Sequence, residues 1–123
     1  MKNDSLQECA ELLTQVFGIP PTISFQNSVE TKFQNLSIGF WLDRGLYSVT
    51  IADELHTYLS SAIASFFHLE LFDARDKPTM LLENLIFVRD KAAEIDKLLE
   101  ERDFDSRYEK ESGYKTIQIK TRA

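Results

Sequence analysis

The chain has 123 residues, 43% of them apolar and 28% charged, with a formal net charge of −6. That length fits one domain, 1–123, around one core, and no apolar run approaches the ~18 residues of a membrane span. The acidic balance excludes unspecific binding to nucleic acid or to anionic membranes, both of which need a positive face.

Residues 5–17 place Leu6, Cys9, Ala10, Leu13, Val16 and Phe17 on one helical face, opened by Asp4 or Ser5 as cap. Gly18 stands where a left-handed C-terminal cap belongs, and Pro20 and Pro21 forbid continuation. Glu8 and Glu11 interrupt this stretch, which therefore lacks the apolar centre of a secretory signal and predicts a cytoplasmic protein. Cys9 is the one cysteine, so no intrachain disulfide can form; its spacing makes it a small core residue.

Thr22 to Gln26 alternates around Ile23 and Phe25 as a short strand, closed by Asn27-Ser28. Leu36 to Leu42 and Leu46 to Ile51 form a hairpin. With Arg44-Gly45 as a two-residue loop, Leu42 faces Tyr47, Phe40 faces Val49 and Ile38 faces Ile51 on one apolar face, whereas a three-residue loop splits the set. Phe33 is out of phase with Leu36, which predicts a bulge near Gln34-Asn35 or a late strand start. Trp41 falls on the opposite face with Ser37 and Gly39. It is either covered by the first helix or the tail, or it is a partly exposed anchor for a partner.

Thr50 to Asp53 resembles a capping box with Asp in place of Glu, and predicts a middle helix through Phe67 with Leu55, Leu59, Ala62, Ile63, Phe66 and Phe67 inward. Residues 69–72 are too short an apolar run to assign to strand or helix. From Pro78 to Arg102 the apolar residues keep one helical stripe, capped by Asp76 with proline in the first turn. One continuous helix of this length measures ~37 Å. Residues 103–113 read as a charged linker or frayed helix, and 114–120 as a late edge strand. The order predicts a small α+β fold: an antiparallel sheet with a central hairpin, packed against an N-terminal helix, a middle helix and one long helix.

No chemistry is prescribed by the residues. Ser60, Ser61 and Ser65 lack a nucleophile-elbow pattern, glycines 18, 39, 45 and 113 are isolated, and His56 and His68 lack the i, i+4 spacing of a helical metal site. Glu70 is the one acid in an apolar local setting, and 96–111 lacks the spacing of a calcium loop. No catalytic residue, metal site or cofactor is expected, and the chain reads as a binding protein and not an enzyme. Its acid is concentrated, because residues 51–76 and 94–111 each carry a net −4 and the remainder a net +2. The candidate partner-binding residues are therefore Asp53, Glu54, Asp73, Glu100, Glu101, Asp103 and Asp105, with Trp41 as the apolar anchor.

In size, acidity and fold class the chain resembles the immunity proteins of bacterial contact-dependent growth inhibition and related polymorphic toxin systems, a likeness of type carried by no motif. It implies a cytoplasmic toxin inhibitor that pairs as a monomer with one basic toxin domain, commonly a nuclease, and touches neither nucleic acid nor membrane directly. The opening, an amphipathic helix followed by Phe17-Gly18-Ile19-Pro20 and a strand containing Phe25, resembles a type III secretion chaperone over residues 1–50. That alternative implies a homodimer that wraps an extended effector segment.

Overall fold

Gly18 and the two prolines after it set where the first helix stops. In the computed structural model, which describes residues 2–24, 28–54, 56–112 and 117–118, helix α1 spans Lys2–Phe17 and Gly18 closes it at φ +74°, its N–H bonded to the Thr14 carbonyl at 2.8 Å. Six strands follow: β1 Thr22–Ser24, β2 Ser28–Phe33, β3 Leu36–Asp43, β4 Leu46–Ala52, β5 His56–Leu59 and, after the remaining helices, β6 Ile117–Gln118. They pair antiparallel in chain order, a meander with β1 and β6 at its edges.

The hairpin register is the expected one: Leu42 opposes Tyr47, Phe40 opposes Val49 and Ile38 opposes Ile51. Arg44 and Gly45 turn with φ +54° and +81°, the paired positive values that match strand twist. Phe33 is not displaced by a bulge. It ends a separate strand, β2, and pairs with Leu36 across the turn Gln34-Asn35, where Gln34 takes φ +56°. The segment 22–26 is a strand over Thr22–Ser24, and Phe25 and Gln26 lie outside the described residues.

Three other expectations are corrected. The middle helix does not start at the Thr50–Asp53 box: β4 runs to Ala52, β5 to Leu59, and only Ser60–Ser65 is helical (α2). The Asp53 carboxylate accepts from the His56 N–H at 2.8 Å, so the acid taken for a helix cap instead closes the β4–β5 turn. The long helix is broken into a short 3-10 turn Pro78–Leu81, α3 Leu82–Asp90 and α4 Ala92–Leu99, with Lys91 at φ −111° and ψ 16° between the last two. Lys77, in extended conformation, precedes Pro78 in place of an Asp76 cap. No ~37 Å rod projects from the molecule. The stripe survives the break because Leu81, Leu85, Val88, Ala92 and Ile95 are all buried. Finally, of the two alternatives for 103–113, a charged linker or a frayed helix, the structure shows a helix that packs: α5, Phe104–Ser112, whose Phe104 and Tyr108 sit one helical turn apart and are both buried. Residues 69–72 are neither strand nor helix, and the chain regains the sheet at Arg75, which bridges Tyr47. Of the expected late strand, 117–118 pairs with β5 and the flanking residues 114–116 and 119–120 lie outside the described set.

The core lies on one side of the sheet. Leu36, Ile38, Phe40, Tyr47, Val49, Ile51 and Tyr58 project toward it, and α1 adds Cys9, Leu13 and Phe17, with the Phe17 ring 5.1 Å from Phe33. Burial, reinforced by Glu8, pushes the Cys9 thiol up to about 12, which leaves it an inert core group at neutral pH. Leu85→Ala should cost about 2–5 kcal/mol, the usual range for emptying a fully buried leucine site. A urea midpoint shifted by less than the equivalent of ~0.5 kcal/mol would mean that the α3 stripe is not buried.

Candidate functional site

The β4–β5 turn carries Asp53 and Glu54, and it faces the last turn of α4. A cleft of about 460 Å³ opens between them, lined by Asp53, Glu54, Asp96 and Glu100 together with Lys32, Gln34, Asn35, Ser37, Ala52 and Leu99. Four acids and one base give this lining a net charge of −3. Acids from the two separated acidic segments thus meet in one place.

Local bonds fix both walls. Besides the His56 N–H bond to its carboxylate, Asp53 donates its own N–H to the His56 carbonyl at 3.1 Å, which holds the turn closed. Opposite, Asn35 in the β2–β3 turn donates its side-chain N–H to Asp96 at 3.0 Å, tying α4 to the sheet end. Asp96 and Glu100 stand one turn apart on the helix, and Glu100 is the C-cap. Like charges at that spacing oppose a helix, and the negative end of the helix dipole adds to the repulsion. The local helix gains nothing from this arrangement, whereas a cationic ligand does.

The remaining candidate acids are placed elsewhere. Asp73 accepts a hydrogen bond from Ser61 on α2. Glu101 is ion-paired with Arg107 beside a second, mixed-charge cleft formed with Phe66, Phe67, Glu94, Lys97 and Leu98. Asp103 is exposed ahead of α5. Asp105 accepts from the Tyr58 hydroxyl at 2.5 Å and faces His56 Nδ1 at 3.3 Å, while Tyr108 accepts from the Leu59 N–H at 3.0 Å. Asp105 and Tyr108 therefore fasten α5 to β5. Trp41 is 51% exposed on the outer sheet face, and among the described residues no helix covers it. Asp96 and Asn35 were not singled out from the sequence. Asp96 lies within the second acidic segment and shares a helical face with Glu100, a signal available before the structure.

Burial first, then the Asp105 hydrogen bond and nearby negative charge, raise the Tyr58 hydroxyl above its ordinary value; burial also raises Tyr108. In the unfolded chain these phenols ionise near pH ~10, while in the folded protein they hold their protons, so stability falls as pH rises past that point. The expected slope is up to ~1.4 kcal/mol per pH unit for each tyrosine that stays protonated. Urea melts across pH 9 to 11 check it, and Tyr108→Phe should flatten the curve; a flat wild-type profile would contradict the burial of both hydroxyls.

Among the described residues no group of three or more His, Cys, Asp or Glu is placed to hold a metal, and no helix is long and apolar enough to cross a membrane. No protein-family model, characterised protein or solved structure matches the chain.

Proposed function

We propose that the chain is a non-catalytic binding protein that captures a basic protein domain in the acidic cleft between the β4–β5 turn and α4. The reading follows the immunity-protein resemblance: the partner is a toxin domain, a nuclease whose substrate-binding face is positive, and one cytoplasmic copy of this chain occludes one copy of that face. One observation carries it, the convergence of Asp53 and Glu54 with Asp96 and Glu100 around one cleft. Concentrated negative charge steers a positive partner and sets its orientation, while the same charge repels nucleic acid.

The test pairs the purified protein with the product of the neighbouring gene, which the proposal requires to carry a toxin domain. Nuclease activity should fall linearly to zero at one equivalent of this chain. Turnover by the chain itself in hydrolase or nuclease screens, abolished by Glu70→Gln or His68→Ala, would overturn the proposal. The outer sheet face, which no helix covers among the described residues, favours a second reading, the effector-binding chaperone, and a stable homodimer in sedimentation would select it.

A further inference from the structure

The face of the sheet turned away from the helices has an unusual floor. Register places Lys32, Ser37, Ala52 and Thr57 in one row, Glu30, Gly39, Thr50 and Leu59 in the next, and Trp41 beside Ser48 in a third. Small side chains over β3 and β4 leave a trough of about 220 Å³, with Trp41 as one wall and Leu59 as another. Gly39 keeps it open. A Cβ there would lie 2.7 Å from the Val29 carbonyl oxygen and 2.9 Å from Glu30 Cβ, so no side chain fits without moving β2. At the end away from Trp41 the trough reaches Ala52, which also lines the acidic cleft. Apolar and acidic surfaces are therefore continuous.

We propose that this trough is the apolar half of the partner site, and that it takes one segment carrying an apolar side chain followed by lysine or arginine. This rests on the acidic-cleft reading and specifies its partner. The apolar group seats against Trp41 over Gly39 and Thr50, and the cation reaches past Ala52 to Glu54 and Glu100. Trp41 and Ser37 are four residues apart along β3, a span of ~13 Å. An extended segment with the base four residues after the anchor, three residues between them, matches it.

Area and charge select this occupant over a second copy of the chain. Four strands at ~4.8 Å and five residues at ~3.3 Å make a face of roughly 300 Å². Two such faces bury on the order of 600 Å², well short of the ~1,200 Å² of a stable interface. Two copies each carrying −6 also repel one another.

Trp41 is the one tryptophan, so its emission reports occupancy directly. The probe is a synthetic peptide, Gly-Leu-Leu-Ser-Ser-Lys-Lys-Gly, with one control in which serine replaces both leucines and one in which glutamate replaces both lysines. The leucine-lysine peptide should shift the emission to the blue and saturate, with each control at least ~10-fold weaker. Ser48→Arg, which fills the trough from a half-buried outer position, should abolish the shift and leave thermal melting unchanged. Equal binding of the serine control by calorimetry, with Trp41 emission unmoved, would overturn the trough while leaving the acidic cleft standing. Equal binding of the glutamate control, with the shift retained, would overturn both the bipartite site and the cleft reading. A concentration-dependent dimer abolished by Ser48→Arg would overturn the proposal and assign the face to a second copy, and no saturable change with any peptide would overturn it outright.

Discussion

Phe104→Ala is expected to lower the unfolding free energy by about 3–5 kcal/mol, among the largest losses for any single truncation in the chain. Phe104 is 1% exposed, and its ring centroid lies 5.2 Å from both Tyr58 and Phe66. A nine-residue helix as polar as α5 has no stability of its own, since nucleation is unfavourable and short helices are marginal in water. Its order therefore comes from Phe104, Tyr108 and the Asp105 bonds to β5. Removing the ring leaves a cavity and loosens the helix, which withdraws the Leu59–Tyr108 hydrogen bond as well. Phe104→Leu, which keeps most of the volume, should cost much less, under about 2 kcal/mol. Urea melts followed by circular dichroism provide the measurement. A loss below ~0.5 kcal/mol for the alanine variant would return residues 103–113 to the status of a linker.

What could be read from the chain depended on which signal each element used. The β3–β4 hairpin was legible because period-two alternation and the Arg44-Gly45 turn agree on one register, and a slip by one residue would invert every side chain. Helix α1 was legible because its stripe and its Gly18 stop coincide, although it starts at Lys2, ahead of the cap expected at Asp4 or Ser5. The break at Lys91 was not, because neither proline nor glycine marks it and the apolar spacing continues through it. Asp53 misled for a chemical reason: a short carboxylate that accepts a nearby N–H caps a turn as readily as a helix. Helix α5 was legible only as one of two alternatives, a linker or a frayed helix, because the stretch is charged and nearly free of aliphatics; the i, i+4 spacing of Phe104 and Tyr108 suffices to order it when Tyr58 and Phe66 pack on the other side. The acidic segments were visible as charge. Their convergence was not, since it depends on where α4 packs through Ala92 and Ile95, a placement at which Asp96 meets Asn35 of the β2–β3 turn.

That convergence gives the other large effect. Reversing Glu54 and Glu100 together, Glu54→Lys with Glu100→Lys, should slow association with a basic partner domain by ~10-fold or more at low salt, because steering of this kind contributes ~10–1,000-fold to on-rates. The wild-type rate should fall steeply with salt as the Debye length shortens from ~10 Å at 0.1 M toward ~3 Å at 1 M, and the double variant should lose most of that dependence. Folding cannot explain the result. Glu54 and Glu100 are both exposed, and lysine at position 100 removes the repulsion with Asp96 and complements the C-terminal end of α4, a gain of ~0.3–1 kcal/mol. Glu100→Lys is thus expected to melt slightly higher while binding more slowly, opposite signs that separate stability from recognition. Glu101→Lys is the control one residue on: it breaks the pair with Arg107 outside the cleft and should change the on-rate far less. Stopped-flow mixing with the partner domain, repeated at several salt concentrations, measures all three variants. An association rate indifferent to salt and to both reversals would remove the cleft from the encounter and shift recognition to the outer sheet face and to pairing along the edge strand at Ile117–Gln118.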